Sequence, residues 1–256
     1  MASRVSPCYA CPRRRLTLLS PFRYHRDGVA PDSAEALALG KAAAAADGVD
    51  LFGVYTHGGH SYDARTPAAI EAIAAAERDA VVALAERLRA ATGQAVPHVS
   101  VGSTPTCSRP PPDGLAGVTE MHPGNYVFYD AAQAEIGACG LEDVAIRVLT
   151  RVVGHYPSSN TLLVDLGWTG VTSQRGDDIG YGRFRGAPEL RVVNFKQEAG
   201  VLSTENGTLD FDKYPVGSLL QLLPYHSCAA AHNHKELYVV DGNDEVVDVW
   251  PRVRGW

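Results

Sequence analysis

Residues 49–104 constrain the fold more tightly than any other part of the chain. Two apolar, β-rich runs, "VDLFGVYTHG" and "VPHVSVGSTPT", flank the long amphipathic stretch "TPAAIEAIAAAERDAVVALAERLRAATG". Each flank is a short apolar run ending in small polar residues, which reads as a buried strand. The middle carries its own helix ends: Thr66 at the cap, Pro67 at the first helical position and Gly93 at the stop. Strand, helix, strand at these lengths predicts a parallel sheet with right-handed crossovers. An earlier helix is predicted in "PDSAEALALGKAAAAADGVD", with Asp32 or Ser33 as cap, Glu35 favouring the N-terminal dipole and Gly48 ending it. "TEMHPGNYVFYD" reads as a third strand segment.

Beyond about residue 140 the texture changes. "DVAIRVLTRVVGHY", "TLLVDLGWTGV", "ELRVVNFKQEAG", "SLLQLLPYHS", "ELYVVDG" and "EVVDVWPRV" are short β-rich runs separated by Gly, Pro, Asn and Asp, the pattern of an all-β domain. Residues 1–22 show no clean periodicity and read as an irregular leader. The expected organisation is therefore a leader (1–22), an α/β domain (23–138) and a β domain (139–256).

Composition removes several classes of function. A net charge of -6 without a basic stripe argues against nucleic acid as a partner. No run of 18 apolar residues exists, so no membrane span is expected, and the apolar patch after Arg13–Arg15 is too short for a secretory signal. Five cysteines, an odd number at irregular spacing, argue against a disulfide framework and for a reducing, cytoplasmic setting. Cys8 and Cys11 form a C-x-x-C pair with no second pair to complete a zinc ribbon.

In parallel sheets of this kind, ligands gather at the carboxyl ends of the strands. Tyr55, His57 and Tyr62 follow the first strand run, Gly102, Ser103 and Thr104 the second, and His122 to Tyr129 fill the third. A Gly-Ser-Thr turn offers backbone N–H groups and hydroxyls to a phosphate, and equally suits an ordinary loop with a helix cap. The tyrosines could stack on a flat ring or sit at a barrel rim with wet hydroxyls. Near the end, "PYHSCAAAHNH" holds three histidines and a cysteine. On an extended chain, side chains two apart share a face, so His226 and Cys228 form half of a tetrahedral site suited to zinc. His232 and His234 would share a face only if that piece is extended. The same residues would also suit a core-edge histidine and a buried thiol.

Taken in order, "YHRDGV", "GVYTHGGHSY", "VSVGSTPT", "TEMHPGNYVFYD", "AIRVLTRVVGHYP", "LLVDLGWTGV", "KYPVGSLLQLLPYHSC" and "WPRVRGW" resemble the eukaryotic D-serine dehydratases, within the D-threonine aldolase-like group. The resemblance runs from about Tyr24 to Trp256. It implies an alanine racemase-like, fold type III architecture: here a partial (β/α)8 TIM-type barrel followed by a C-terminal β domain. It implies pyridoxal 5'-phosphate at the barrel mouth and Zn2+ on His226 and Cys228. Arg26 would lie near the cofactor's phenolic oxygen, Tyr55 and Tyr62 would flank cofactor and substrate, and Gly102, Ser103 and Thr104 would bind the phosphate. The segment His122–Tyr126 would complete the phosphate side, and the resemblance assigns no ligand role to His232 or His234. The implied reaction is the β-elimination of D-serine, a small-molecule substrate, to pyruvate and ammonia, in a homodimer. Aldolase relatives carry aspartate in place of the cysteine, so Cys228 favours the dehydratase branch over a D-threonine aldolase-like lyase.

Two departures stand out. The family's Schiff-base lysine has no counterpart: Lys41, Lys196, Lys213 and Lys235 all lie outside its motif, which leaves the catalytic residue unknown. Ala199 also stands where relatives usually have histidine in "QEHG". Residues 24–135 supply only the last three or four strands of an eight-stranded barrel, so the expectation is a truncated or alternatively spliced, inactive dehydratase. A non-catalytic zinc-binding relative is the second expectation.

Overall fold

The computed structural model describes residues 14–21, by their backbone, and residues 28–253. The chain divides into two compact units, the first running to Tyr126 with Ile136–Ala138, the second comprising Val127–Glu135 and the chain from Cys139 onward.

The first unit is built on four parallel strands, β1 (Arg14–Pro21), β2 (Val49–His57), β3 (His98–Val101) and β4 (Glu120–Met121), in that spatial order. Tyr55 on β2 lies opposite Ser100 on β3, and Val101 lies opposite Met121 on β4. Two helices join the strands. In α1 (Ala34–Ala45) the Ser33 hydroxyl accepts the Ala36 N–H at 3.0 Å. In α2 (Pro67–Thr92) Thr66 caps the start and Gly93, at φ 69°, closes the end in the left-handed region that glycine enters without strain. Ile70, Ala74, Val81, Leu84 and Leu88 form the buried stripe of α2, and Val81, Leu84 and Leu88 share a core with Leu51 and Val54 of β2 and Val99 and Val101 of β3. The start of α1 and both ends of α2 match the sequence expectation because each rests on local backbone chemistry, whereas α1 stops early, with Ala46 as its C-cap and Gly48, at φ 74°, in the turn before β2.

Two expectations are corrected in these elements. The supposed leader contains β1, whose Leu16 pairs with Leu51 and whose Pro21 pairs with His57. The strand was hidden because isolated apolar residues between arginines and a proline carry no period that short-range reading can detect. Arg26, Cys8 and Cys11 lie outside the described residues. The third strand segment shrinks to the two residues of β4, since Pro123 and Gly124 break the run and Asn125–Val127 turn as a 3-10 helix.

The second unit centres on a six-stranded antiparallel sheet of β5 (Val148–Tyr156), β6 (Thr161–Val164), β7 (Gly182–Phe184), β8 (Leu190–Phe195), β9 (Gly200–Thr204) and β10 (Leu219–Pro224), in the spatial order β7-β10-β5-β6-β9-β8. β7 and β9 were not anticipated: three residues are too few to show alternation, and β9 begins on the glycine that closes "QEAG". Along β5, Val148, Thr150 and Val152 point inward and Leu149 and Arg151 outward, as a half-buried strand requires. Val148, Val152, Leu162, Val164, Phe184, Leu190, Leu202 and Leu222 make the core. A hairpin of β11 (Glu236–Val240) and β12 (Val246–Pro251) is moored through its turn. There Asp244 accepts from Arg147 at 2.6 Å, from Arg185 at 2.8 Å and from the Gln221 amide at 3.1 Å. Among the described residues no helix is long and apolar enough to cross a membrane.

Leu222→Ala removes a fully buried side chain from the sheet and should cost about 3 kcal/mol. Leu149→Ala, on the neighbouring strand but 60% exposed, should change stability by less than about 0.5 kcal/mol. Urea unfolding of both variants checks the contrast, and equal losses would contradict the assigned faces.

Candidate functional site

The carboxyl ends of β2 and β3 form a cup within the first unit. β2 leads into the 3-10 turn Gly59–Asp63, and β3 into the short helix α3 (Thr104–Ser108). The two loops are laced together. Gly58 N–H donates to the Gly102 carbonyl at 2.9 Å, and the Ser103 hydroxyl lies 3.0 Å from both Ser61 Oγ and Thr106 Oγ1. Ser103 therefore spends its hydroxyl inside the protein. Thr104 does not: its Oγ1 is buried and has no partner. A buried hydroxyl without a partner is costly, and a ligand oxygen would satisfy it. Gly102 is required sterically, because a Cβ there would lie 2.5 Å from the His122 ring.

His122 forms one wall. Its Nε2 lies 3.0 Å from the Thr56 carbonyl, which can only accept, so Nε2 carries the proton and Nδ1 accepts from the Ser100 hydroxyl at 2.7 Å. Burial brings this imidazole down to about 4, so it is neutral at ordinary pH. The Tyr55 ring leans on it, with centroids 4.0 Å apart at 32°. Tyr62 stands on the 3-10 turn and is partly exposed.

Beneath the cup lies a residue that motif reading missed. Glu77 falls on the apolar stripe of α2, three residues after Ala74 and four before Val81, and is 1% exposed. Its Oε1 accepts the Gly102 N–H at 3.2 Å, and Thr106 and the Gly58 backbone also hydrogen bond to the carboxyl. The Gly102 N–H is thus engaged by Glu77. An acidic residue on the buried stripe of an amphipathic helix was the available signal.

The second unit holds His226 and Cys228, but not on a strand. β10 ends at Pro224, His226 is the extended cap residue of α5 (Ser227–Asn233), and Cys228 is already helical and exposed. The premise of a shared strand face is therefore corrected, as is the extended geometry imagined for His232 and His234. The two side chains nevertheless meet: a hydrogen bond to Cys228 is the main cause that raises the His226 imidazole. The Gln174 carbonyl oxygen lies 2.6 Å from His226 Nδ1, which must donate, so the lone pair of the neutral ring is on Nε2. Such an outer partner fixes the orientation of a metal-binding histidine. Asp130 secures the loop. One oxygen accepts the Ser227 N–H at 2.9 Å and the other the Gln133 N–H at 3.0 Å. Neither Gln174 nor Asp130 was legible in the motif. His232 is exposed and His234 Nε2 lies 2.7 Å from the Gly170 carbonyl. Among the described residues no group of three or more His, Cys, Asp or Glu side chains converges.

The remaining candidates have structural partners. His98 stacks on Phe52 with centroids 3.9 Å apart, and His155 Nε2 lies 2.7 Å from the Tyr214 carbonyl. Tyr129 packs with Val144, Ile146 and Leu223, and Tyr126 is exposed. Lys41, Lys196 and Lys235 are exposed, and Lys213 pairs with Glu189.

The chain's relatives can now be set beside this geometry. Residues 145–240 match the family described as "Putative serine dehydratase domain", and residues 22–132 match "Alanine racemase, N-terminal domain". The chain is 39% identical over 246 residues to D-threo-3-hydroxyaspartate dehydratase of Delftia sp. (strain HT23), covering 91% of this chain and 63% of that protein. It is 36% identical over 215 residues to D-serine dehydratase of Dictyostelium discoideum, covering 80% and 54%. The solved structure of the Delftia enzyme aligns with a TM-score of 0.87 at 36% identity, over 94% of this chain and 66% of that one. It has also been solved as a cysteine-to-alanine mutant in the metal-free form. D-threonine aldolase from Filomicrobium marinum aligns with a TM-score of 0.76 at 28% identity, over 92% and 62%. The chain thus spans roughly half to two thirds of the length of these relatives. With both domain matches in sequence and the parallel sheet preceding the β domain along the chain, the protein has an alanine racemase-like fold and is similar in sequence to the D-serine and D-threo-3-hydroxyaspartate dehydratases.

Proposed function

We propose that this chain supplies the phosphate cup and the metal pair of a pyridoxal phosphate- and zinc-dependent lyase acting on β-hydroxy D-amino acids, with D-serine as substrate and pyruvate and ammonia as products. The observation that carries the reading is the meeting of His226 and Cys228, oriented by Gln174 and Asp130, in a chain related to dehydratases of such substrates. Pyridoxal phosphate, when bound, would supply an electron sink for the substrate's α-carbon, and zinc a Lewis acid for the departing β-hydroxyl.

The residues present fit both groups. The Thr104 hydroxyl, buried without a partner, would donate to a phosphate oxygen. His122, fixed as the neutral Nε2–H form, walls the cup and supports the Tyr55 ring. His226 and Cys228 offer an imidazole nitrogen and a thiolate, the soft donors that suit zinc, and a pair leaves positions open for substrate or water. A metal-free form of the Delftia enzyme, in which a cysteine is replaced by alanine, supports a metal role for a cysteine in that relative. The family's cofactor-bearing lysine is not assigned to any of the four lysines, none of which the structure ties to the cup.

That last observation favours a second reading, a chain that binds zinc and cofactor without turnover. Pyruvate release from D-serine, with both supplied, separates the two. Turnover accompanied by a borohydride-trapped cofactor on Lys41 or Lys196 would refute the non-catalytic reading and restore a lysine to the site.

Two binding measurements test the assignments directly. His226→Ala and Cys228→Ala should each abolish stoichiometric zinc, and Asp130→Ala should weaken zinc binding by about tenfold through loss of loop orientation. Unchanged zinc content in the first two would remove the ligand assignment. Thr104→Val should weaken pyridoxal phosphate binding by about tenfold or more, the value of a hydrogen bond to a charged group, while leaving zinc content intact. Equal binding by wild type and variant would place the phosphate elsewhere.

A further inference from the structure

The carboxyl of Glu77 closes the floor of the cup yet touches no part of its opening described above. Its position is defined by both loops. It accepts the Gly102 N–H at 3.2 Å, receives hydrogen bonds from Thr106 and from the Gly58 backbone, and reaches the Ser103–Ser61 pair through Thr106. A Cβ on Gly58 would lie 2.9 Å from Glu77 Oε2, so the carboxyl packs directly against the loop after β2 as well. An ionised carboxylate here would sit under the turn whose partnerless Thr104 hydroxyl awaits an anion. Two negative charges would then share one water-poor site, which raises the free energy of the pair.

We propose that Glu77 is a positioning residue whose carboxyl takes up one proton from solvent when the 102–104 turn binds a dianion, so that anion affinity at this cup is coupled to protonation of Glu77. The inference rests on the reading of the cup given under Proposed function.

The neighbouring groups leave this role to Glu77. Burial pushes its carboxyl up to about 7, despite three hydrogen bonds that favour the charged form. From α3 it is faced by the Cys107 thiol, which burial and Glu77 itself push upward, so the thiol stays protonated in the same range. From beyond β4 comes His122, brought down to about 4 and hence neutral. The last residue of β2 is His57 and the turn after it carries His60, and on α2 the adjacent Arg78 turns away to Asp79 and Asp113. The sign follows. Below about pH 7 Glu77 is protonated in the free protein and anion binding is at full strength. Above that, binding must first supply the proton, and affinity falls with pH by at most tenfold per unit.

Inorganic sulfate is the appropriate probe, because it remains a dianion throughout this range whereas phosphate itself titrates. Sulfate titration of the amide signals of residues 102–104 should give an affinity that falls about fivefold or more from about pH 6 to about pH 8 in the wild type. In Glu77→Gln, which keeps an acceptor for Gly102 and leaves His57 and His60 in place, the profile should be flat. On the wild type alone, the carbonyl-carbon shift of the Glu77 carboxyl should report a higher midpoint with saturating sulfate than without, so the inference does not depend on the variant folding. Sulfate binding with the same affinity across the range, or an unmoved Glu77 midpoint, would overturn the coupling and leave the cup standing. A pH dependence retained in Glu77→Gln would also overturn it. Absence of sulfate binding at every pH would overturn the cup itself.

Discussion

A carboxyl group shut away from water must have its lone pairs filled by donors or give up its charge. Glu77 meets this demand by gathering the backbone of Gly58 and Gly102 and the hydroxyl of Thr106 around itself. The geometry at the ends of β2 and β3 depends on that arrangement. The loops after two parallel strands have no sheet hydrogen bonds of their own, and here a side chain rising from α2 supplies the common acceptor. Removing this acceptor would strand the Gly102 N–H, whereas Gly58 would keep the Gly102 carbonyl and Thr106 would keep Ser103.

The second unit solves a similar problem differently. The chain leaves β10 at Pro224, whose ring cannot donate to a further ladder, and turns within three residues into α5. Asp130 receives the N–H of Ser227, the residue between His226 and Cys228, and so sets the turn on which both side chains stand. Gln174 then selects the imidazole tautomer. If the pair holds a metal as proposed, such outer support would limit the orientations the two side chains sample. Both supporting residues lie far from the pair in sequence.

Much of the architecture was legible locally. The ends of α1 and α2 are written in Ser33, Thr66, Pro67 and Gly93, because capping is a matter of a few consecutive residues. The alternation of β5 and the apolar runs of β2 and β3 announced their strands for the same reason. What escaped were elements whose stability comes from partners. β1 exists through its pairing with β2, β7 through β10, and β9 through β6 and β8, while Ser227–Asn233 became a helix although the preceding element is a strand.

The sequence by itself determined the helices α1 and α2, the strands β2 and β3 beside them, the family resemblance and the candidate residues for phosphate and zinc, since those follow from residue types at short spacing. Tertiary structure decided which of these groups are committed and which are available. Ser103 spends its hydroxyl on Ser61 and Thr106 while Thr104 keeps its own, Gly102 gives its N–H to Glu77, and His226 meets Cys228 across a strand-to-helix turn rather than along a strand. The Ser103–Ser61 and Gly102–Glu77 hydrogen bonds, and the Gln174 contact that orients His226, join residues 42, 25 and 52 apart and form only when the chain closes on itself, beyond the reach of any local pattern.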